Sequence, residues 1–235
     1  MKADYFDFSK VKNFEKHIEL SIPNFLTLDN IFLAVCKQFA HPESTVIDLG
    51  CSTGRFLNKL PKTEGTRYVG VDTVKFEEQK RGFIFEQNDI EVALDDYKEE
   101  NVSVIVGMFM LQFLGNAKRK RVLNQLKHYI DRGTQVLLSE KVYLSDSQLQ
   151  TLIHRLHIQE KRKGFTDKEI LDKDDQLSVS MYCKSEHELD VELNNIGFPT
   201  KVWQSYNFMG YVVNNIRIVT GKLTVDRLYL KFLYL

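Results

Sequence analysis

The chain reads as one α/β domain built on a mostly parallel sheet covered by helices on both faces. Three observations predict this. Short apolar runs alternate with helical segments, the first three runs carry an acid at their carboxyl ends, and no linker divides the chain. Continuous apolar runs are what a parallel sheet requires, because its crossover connections lay helices over both faces. At 235 residues the chain can bury one substantial core. With four prolines, no Ser/Gly-rich stretch and no internal repeat, residues 1–235 are expected to form a single domain.

Residues 7–20 read as a charged helical segment that Pro23 interrupts, and 26–39 place Leu28, Ile31, Phe32, Val35 and Phe39 at helical spacing. Together, 7–40 form an expected N-terminal helical cap. Thr45-Val46-Ile47-Asp48-Leu49 is the first strand, closing at Gly50 before a helix that starts at Arg55. Tyr68-Val69-Gly70-Val71-Asp72 is the second and residues 83–89 are the third, ending on Asp89. Residues 102–108 make the fourth strand, followed by a helix over 118–130, a turn at Asp131-Arg132-Gly133-Thr134 and a fifth strand over 135–139. The charged stretch 144–196 reads as a helical insertion with a break near Lys163-Gly164-Phe165. Strands over 200–208 and 210–213 complete a seven-stranded sheet, the last strand antiparallel. Helices in 7–40 and 144–180 are expected to roof a crevice at its edge. The apolar tail 216–235 has no assignment, although its aromatic residues need something to pack against.

Composition excludes several classes of protein. Lys and Arg number 32 against 32 Asp and Glu, so no overall charge draws the chain to nucleic acid or to a membrane. Cys36, Cys51 and Cys183 are odd in number and scattered, which argues against a disulfide framework or a zinc knuckle. His154 and His157 stand at i, i+3 without a carboxylate or thiol at matching spacing, so no metal site is predicted. The charged first twenty residues predict no signal peptide, and the apolar stretch 102–114 is too short to span a bilayer. A cytoplasmic location is the expectation.

The chemistry concentrates in Asp48-Leu49-Gly50-Cys51-Ser52-Thr53-Gly54, between a strand and a helix. Gly50 and Gly54 allow close backbone approach to a ligand, and the helix start offers free N–H groups. The spacing is not the GxGxxG of a dinucleotide site, and an acid at 48 suits a cationic amino-acid ligand better than a phosphate. Asp72 lies roughly 20 residues beyond the loop, where a carboxylate can take both ribose hydroxyls. Asp89 ends the next strand, placed to accept from an adenine amino group. Three strand-end acids in succession predict a ligand crevice in a Rossmann-like fold.

These motifs resemble the class I methyltransferases, and within them the carboxy-S-adenosylmethionine synthase family. The matching words are Ser21-Ile22-Pro23, Asp48-Leu49-Gly50-Cys51-Ser52, Leu111-Gln112-Phe113-Leu114, Leu138-Ser139-Glu140-Lys141, Ile196-Gly197-Phe198, Trp203 and Asn207-Phe208. They run from about residue 10 to about 213. The resemblance implies S-adenosylmethionine (SAM) as cofactor, held by Gly50, Cys51, Ser52, Asp72, Thr73, Asp89 and Ile90. It also implies a homodimer and a part in tRNA wobble-uridine modification, with prephenate as co-substrate. Three positions depart from the family. Phe25 stands for a tyrosine and Met108 for an asparagine, while Glu192 stands where an arginine anchors the extra carboxylate. A charge reversal there, about 4 Å from a carboxylate, changes a pair term of about 4 kcal/mol in sign, which disfavours carboxy-SAM.

The leading expectation is therefore methyl transfer from SAM to an unidentified acceptor, with carboxy-SAM synthesis and a retired binding module as alternatives. Glu140 is the candidate base, with Tyr143 and Gln112 behind it. Lys118-Arg119-Lys120-Arg121 is a candidate phosphate-binding run for a nucleic-acid substrate. Trp203 and Tyr206 are expected in the core rather than as a stacking platform.

Overall fold

The β-branched run at 102–108 becomes β4 (Val102–Met108), whose Val104, Ile105 and Val106 are completely enclosed at the centre of the sheet. The computed structural model describes residues 11, 13–75 and 82–215. In it, β4 lies between β1 (Thr45–Leu49) and β5 (Gln135–Tyr143), parallel to both. β2 (Arg67–Asp72) and β3 (Ile84–Gln87) continue the parallel sheet beyond β1. On the other side β8 (Phe208–Asn214) pairs antiparallel with both β5 and β7 (Phe198–Ser205), giving the order β3-β2-β1-β4-β5-β8-β7. These are the seven expected strands. The eighth, β6 (Lys184–Ser185), is a two-residue addition to the end of β5.

The closing hairpin differs from expectation in its turn. Tyr206 and Asn207 make it, Tyr206 in the left-handed region at φ 55, and Asn207 is held to Val142 through both its carbonyl (2.8 Å) and its Nδ2 (3.0 Å). Gly210, the expected first residue of the last strand, lies within β8, which begins two residues earlier. A Cβ there would stand 2.6 Å from Leu28 Cδ1, so this glycine serves close packing.

Alternation along each strand sorts the core into two layers. Ile47, Ile105, Val136 and Leu138 point towards α4 (Ile90–Asp96), α5 (Asn116–Asp131) and α8 (Glu186–Ile196). Val46, Val104, Val106 and Leu137 point towards α2 (Phe25–Phe39) and the short α3 (Arg55–Lys59). Because Leu189, Leu193 and Ile196 of α8 are core residues, the insertion expected over 144–196 is shorter. It consists of α6 (Ser147–Lys161) and α7 (Asp167–Ser178).

Local signals explain where these helices begin. Thr166 and Ser185 form capping boxes with Glu169 and Glu188, and Asp146 caps α6. Ahead of α2 lies α1 (Phe14–Ser21). The chain turns by 109° between them at Ile22-Pro23-Asn24, which carries α1 off the sheet face and over its edge. Among the described residues no single helix is long and apolar enough to cross a membrane. The first part of the expected 7–20 helix and the tail 216–235 lie outside the described residues.

A buried ion pair ties α2 to the start of α3. Both Arg55 guanidinium nitrogens reach Asp29, at 2.8 and 2.6 Å, with Asp29 1% exposed. Removing one partner leaves a charge without compensation in a dry site. Asp29→Ala is expected to cost about 3–5 kcal/mol in urea unfolding. Asp167→Ala, which breaks the exposed Arg162–Asp167 pair, should cost about 1 kcal/mol or less in the same assay.

Candidate cofactor crevice and active site

The carboxyl ends of β1, β2 and β4 open into a cavity of about 370 Å³, within the range of small-molecule sites. Its floor includes Gly50, Ser52, Asp72, Thr73 and Met108, all expected site residues. Phe14, Ile18 and Ser21 of α1, His157 and Lys161 of α6, and Lys173 and Leu177 of α7 form the roof. The roof therefore comes from α1 and the insertion, as expected, while α2 packs on the sheet face instead.

The β1–α3 loop depends on left-handed backbone. Gly50 (φ 73), Ser52 (φ 51) and Gly54 (φ 75) alternate with ordinary residues. A Cβ on Gly54 would meet the Phe83 ring at 2.1 Å, so the loop can be this tight only with glycine there. Asp72 fixes the loop to β2, accepting from Ser52 N at 2.8 Å through Oδ2 and from Val74 N at 2.9 Å through Oδ1. Burial raises the Asp72 carboxyl, and these backbone bonds oppose the rise.

Asp48 lies beneath this floor, 4% exposed. Burial first, then the neighbouring Asp72, push its carboxyl up to about 7. The Arg55 guanidinium favours its charge, but that cation is already engaged by both oxygens of Asp29. Two desolvated carboxylates under a backbone loop form a donor set that fits a ligand bearing a sulfonium and an ammonium. Cys51 is buried, its thiol pushed well up by burial and by Asp48, so it serves as packing rather than as a nucleophile.

Other expected residues stand elsewhere. Phe25 is buried behind the cavity wall, with the Arg55 guanidinium 4.6 Å from its ring centre and Phe109 against it. Asp89 caps α4, accepting from Glu91 N at 2.9 Å, and its other oxygen pairs with Lys118. Burial works against its charge, but Lys118 and the cap bond outweigh it and hold the carboxyl low. Ile90 is buried in the opposite core layer. Neither Asp89 nor Ile90 lines this cavity.

The expected base does not line the cavity. Glu140 is 2% exposed and accepts from Arg119 Nη1 at 2.9 Å, on the face of β5 that meets α5 and α8. Burial pushes it up to about 7, with Arg119 opposing. Arg119 also reaches Glu192, through Nη2 at 2.7 Å and Nε at 2.9 Å. Glu192 thus faces a cation in the α5–α8 layer, and the repulsion expected within the crevice does not arise from it. Tyr143 is half exposed and away from the cavity. Gln112 lines the cavity and accepts from Lys141 N at 2.9 Å.

The basic run of α5 is spent internally as well. Lys118 pairs with Asp89, Arg119 with Glu140 and Glu192, and Arg121 with Glu91, leaving Lys120 exposed. His154 and His157 do not converge. His154 is exposed, whereas His157 donates from Nε2 to Ser21 O at 2.8 Å and is kept neutral, pushed down to about 3 by burial. Trp203 is core, and Tyr206 is half-buried against the His157 ring.

Sequence reasoning missed Lys141, Lys161 and Lys173. One signal was available, since Lys161 follows His157 by four residues and so shares its face of α6. In a stretch this rich in charge, nothing in the sequence marked that face as the inward one.

Arg119→Met would leave Glu140 buried without its cation, at an expected cost of about 3–5 kcal/mol in guanidinium unfolding. Glu192→Gln, on the more exposed arm at 23%, is expected to cost less than about 2 kcal/mol.

Comparison with known proteins agrees with this architecture. A model described as a methyltransferase domain matches residues 28–199. The carboxy-S-adenosyl-L-methionine synthase of Hydrogenovibrio crunogenus is 32% identical over 224 residues, spanning 88% of this chain and 87% of that protein. The synthase of Yersinia pestis is 31% identical over 216 residues, spanning 86% and 81%. Among solved structures, the plantazolicin methyltransferase BamL, in complex with a triazolic desmethylPZN analog and SAH, has a TM-score of 0.60 at 12% identity. The match covers 89% of this chain and 93% of that one, a likeness of fold. The chain belongs to the class I SAM-dependent methyltransferase superfamily, in the family of the carboxy-S-adenosyl-L-methionine synthases, with SAM as its cofactor.

Proposed function

We propose that this protein transfers the methyl group of SAM to a small acceptor enclosed in the cavity between the Gly50–Gly54 loop and the roof. The observation that carries this reading is the shared cavity itself, in which the strand-end loop and three roofing helices face one another. Bound SAM supplies an electrophilic methyl group, whose transfer breaks the S–C bond and leaves a neutral thioether.

The chain's residues hold and orient. Gly50, Cys51 and Ser52 bring backbone to the amino-acid portion, Gly54 lets the loop close, and Asp72 and Thr73 take the ribose. Asp48 provides negative charge beneath the loop. Asp89 and Ile90 border the adenine end by family analogy, and Asp89 does so while paired with Lys118. Met108 lines the wall and Phe25 backs it, each contributing shape where the family has a polar group. Phe14, Ile18, Ile22 and Phe113 exclude water and hold the acceptor close, which is where most of the rate advantage of such a transfer originates.

A second reading is carboxy-SAM synthesis, in which SAM itself is altered and prephenate supplies the carboxyl group. Two observations favour it: the identity to such synthases over most of the chain, and the pairing of Glu192 with Arg119 outside the cavity. Tandem mass spectrometry of small molecules released from the purified protein separates the two. SAM or its demethylated product supports methyl transfer, and a mass higher by one carboxyl group establishes the synthase. A nucleic-acid acceptor and a homodimer rest on family analogy, and a cytoplasmic location rests on composition.

Asp72→Ala is expected to weaken SAM binding at least about tenfold in titration calorimetry. An unchanged affinity would favour the retired binding module instead. With its carboxyl raised to about 7, Asp48 is protonated below that pH and ionised above it. A cationic ligand prefers the ionised form. Affinity for SAM should therefore rise by up to about tenfold per pH unit on approaching pH 7 from below, then level off. Asp48→Asn should flatten that dependence.

A further inference from the structure

We propose that Asp29 is a positioning residue for the cofactor site: by cancelling the charge of Arg55, it leaves the Asp48 carboxylate to select a cationic ligand. The inference rests on the reading of this cavity as a SAM-dependent transfer site. It names the residues that set the preference for SAM over the product with a neutral sulfur.

Asp48 shares a face of β1 with Val46, the face that meets α2 and α3. From α3 comes Arg55, the first residue after the Gly50–Gly54 loop, and from α2 comes Asp29. Arg55 is buried, and its two terminal nitrogens donate to the two oxygens of Asp29, at 2.8 and 2.6 Å. Phe25 lies one helical turn before Asp29 and covers the same guanidinium, 4.6 Å from its ring centre. A carboxylate and a ring presented by one helix thus fix this cation at its edge and at its face. Lys59 approaches Asp29 from the solvent side, at 3.5 Å. Among the described residues no ion pair joins Arg55 to Asp48.

Three elements therefore set the charge around Asp48. Asp72 of β2 repels its carboxylate, Arg55 of α3 attracts it, and Asp29 of α2 repels it more weakly. Cys36 of α2 and Cys51 of the loop also face it, as thiols that burial keeps neutral. The attraction of Arg55 and the repulsion of Asp29 have opposite signs and come from one bonded pair, so their sum at Asp48 is small. An acid bonded directly to Arg55 would have its charge answered within the protein. With the guanidinium committed to Asp29, the cation that answers Asp48 is left for a ligand to supply.

That arrangement discriminates by charge. SAM carries a sulfonium and an ammonium, whereas S-adenosylhomocysteine, left after methyl loss, carries only the ammonium. The ligand with the additional positive charge gains more from an uncompensated carboxylate beneath the loop. Loss of that charge on transfer weakens the hold on the product. The place of the pair in the chain matters too. Arg55 opens α3 directly after Gly54, so the pair that anchors the end of the loop also sets the charge beneath it.

The test reads Asp48 itself. Carboxyl-carbon NMR titration of the ligand-free protein, with Asp48→Asn identifying the resonance, follows its inflection in wild type and three variants. These are Asp29→Asn, Arg55→Met and the double variant Asp29→Asn/Arg55→Gln, with thermal melts establishing that each is folded. Calorimetry at about pH 8, where Asp48 is ionised, gives their affinities for SAM and S-adenosylhomocysteine. Asp29→Asn uncovers the cation and is expected to move the Asp48 inflection down by about one pH unit. Arg55→Met uncovers the Asp29 charge and should move it up by about as much. The double variant removes both charges and returns the inflection to the wild-type value. Preference for SAM over S-adenosylhomocysteine should fall about fivefold or more in Asp29→Asn and recover in the double variant. Should Asp29→Asn fail to fold, an upward shift in Arg55→Met against an unmoved double variant upholds the proposal, and equal inflections in those two overturn it. Shifts in one direction in both single variants, or in neither, overturn it as well and leave the pair a tie between α2 and α3. So do opposite shifts with an unchanged preference for SAM, because the cancellation would then not reach the ligand. Opposite shifts in a protein that binds neither ligand would keep the charge cancellation and reject the cofactor reading.

Discussion

A parallel sheet covered on both faces leaves polar chemistry one place to stand, the carboxyl edge of its strands. Side chains in the middle of β1, β4 and β5 are enclosed by helices, and an unpaired polar group among them would lose its water without a replacement. At the edge the strands release the chain into loops, and backbone groups and strand-end side chains meet a shared space. Gly50, Asp72, Met108 and Lys141 come from four different strand ends, yet they border one cavity for this reason. The position of the site follows from the burial of the sheet.

The pleat then divides charge between two environments. Glu140 and Lys141 are adjacent in sequence and opposite in fate, one closing an ion network with Arg119 and the other lining the cavity. The same network absorbs Glu192, and neighbouring pairs absorb Lys118 and Arg121. What looks along the chain like a basic strip on α5 is a set of ties between α5, α4, β5 and α8. These ties differ in weight. The Arg119 network is dry, so loss of either partner exposes a large desolvation penalty, whereas Arg121–Glu91 is wet and contributes little.

The roofing helices are tied to one another by polar contacts that meet at Ser21. After the 109° turn at Pro23, α1 is held at Ser21, whose carbonyl accepts from His157 of α6 and whose hydroxyl accepts from Lys173 of α7. One residue therefore ties all three roofing helices together above the Gly50–Gly54 loop. Apolar groups on their lower faces exclude water, and the lysines among them supply the charge that a purely apolar lid would lack.

How much of this was legible along the chain can be traced through particular residues. The alternation of apolar runs with helices determined the α/β class, the parallel core and its strand ends, because burial on two faces writes continuous hydrophobic runs into the sequence. The glycines and acids of 48–54, with Asp72, marked the loop that floors the cavity, since a left-handed turn and a desolvated carboxylate demand particular residue types. Tertiary structure decided the rest. It hid Glu140 and neutralised Glu192, it assigned α8 to the core, and it gathered three lysines from β5, α6 and α7 on one wall. Each of these depends on which face of an element meets which neighbour across tens of residues. A charge looks the same in sequence whether it ends in water, in an ion pair or in a cavity, and the packing of distant segments is what distinguishes them.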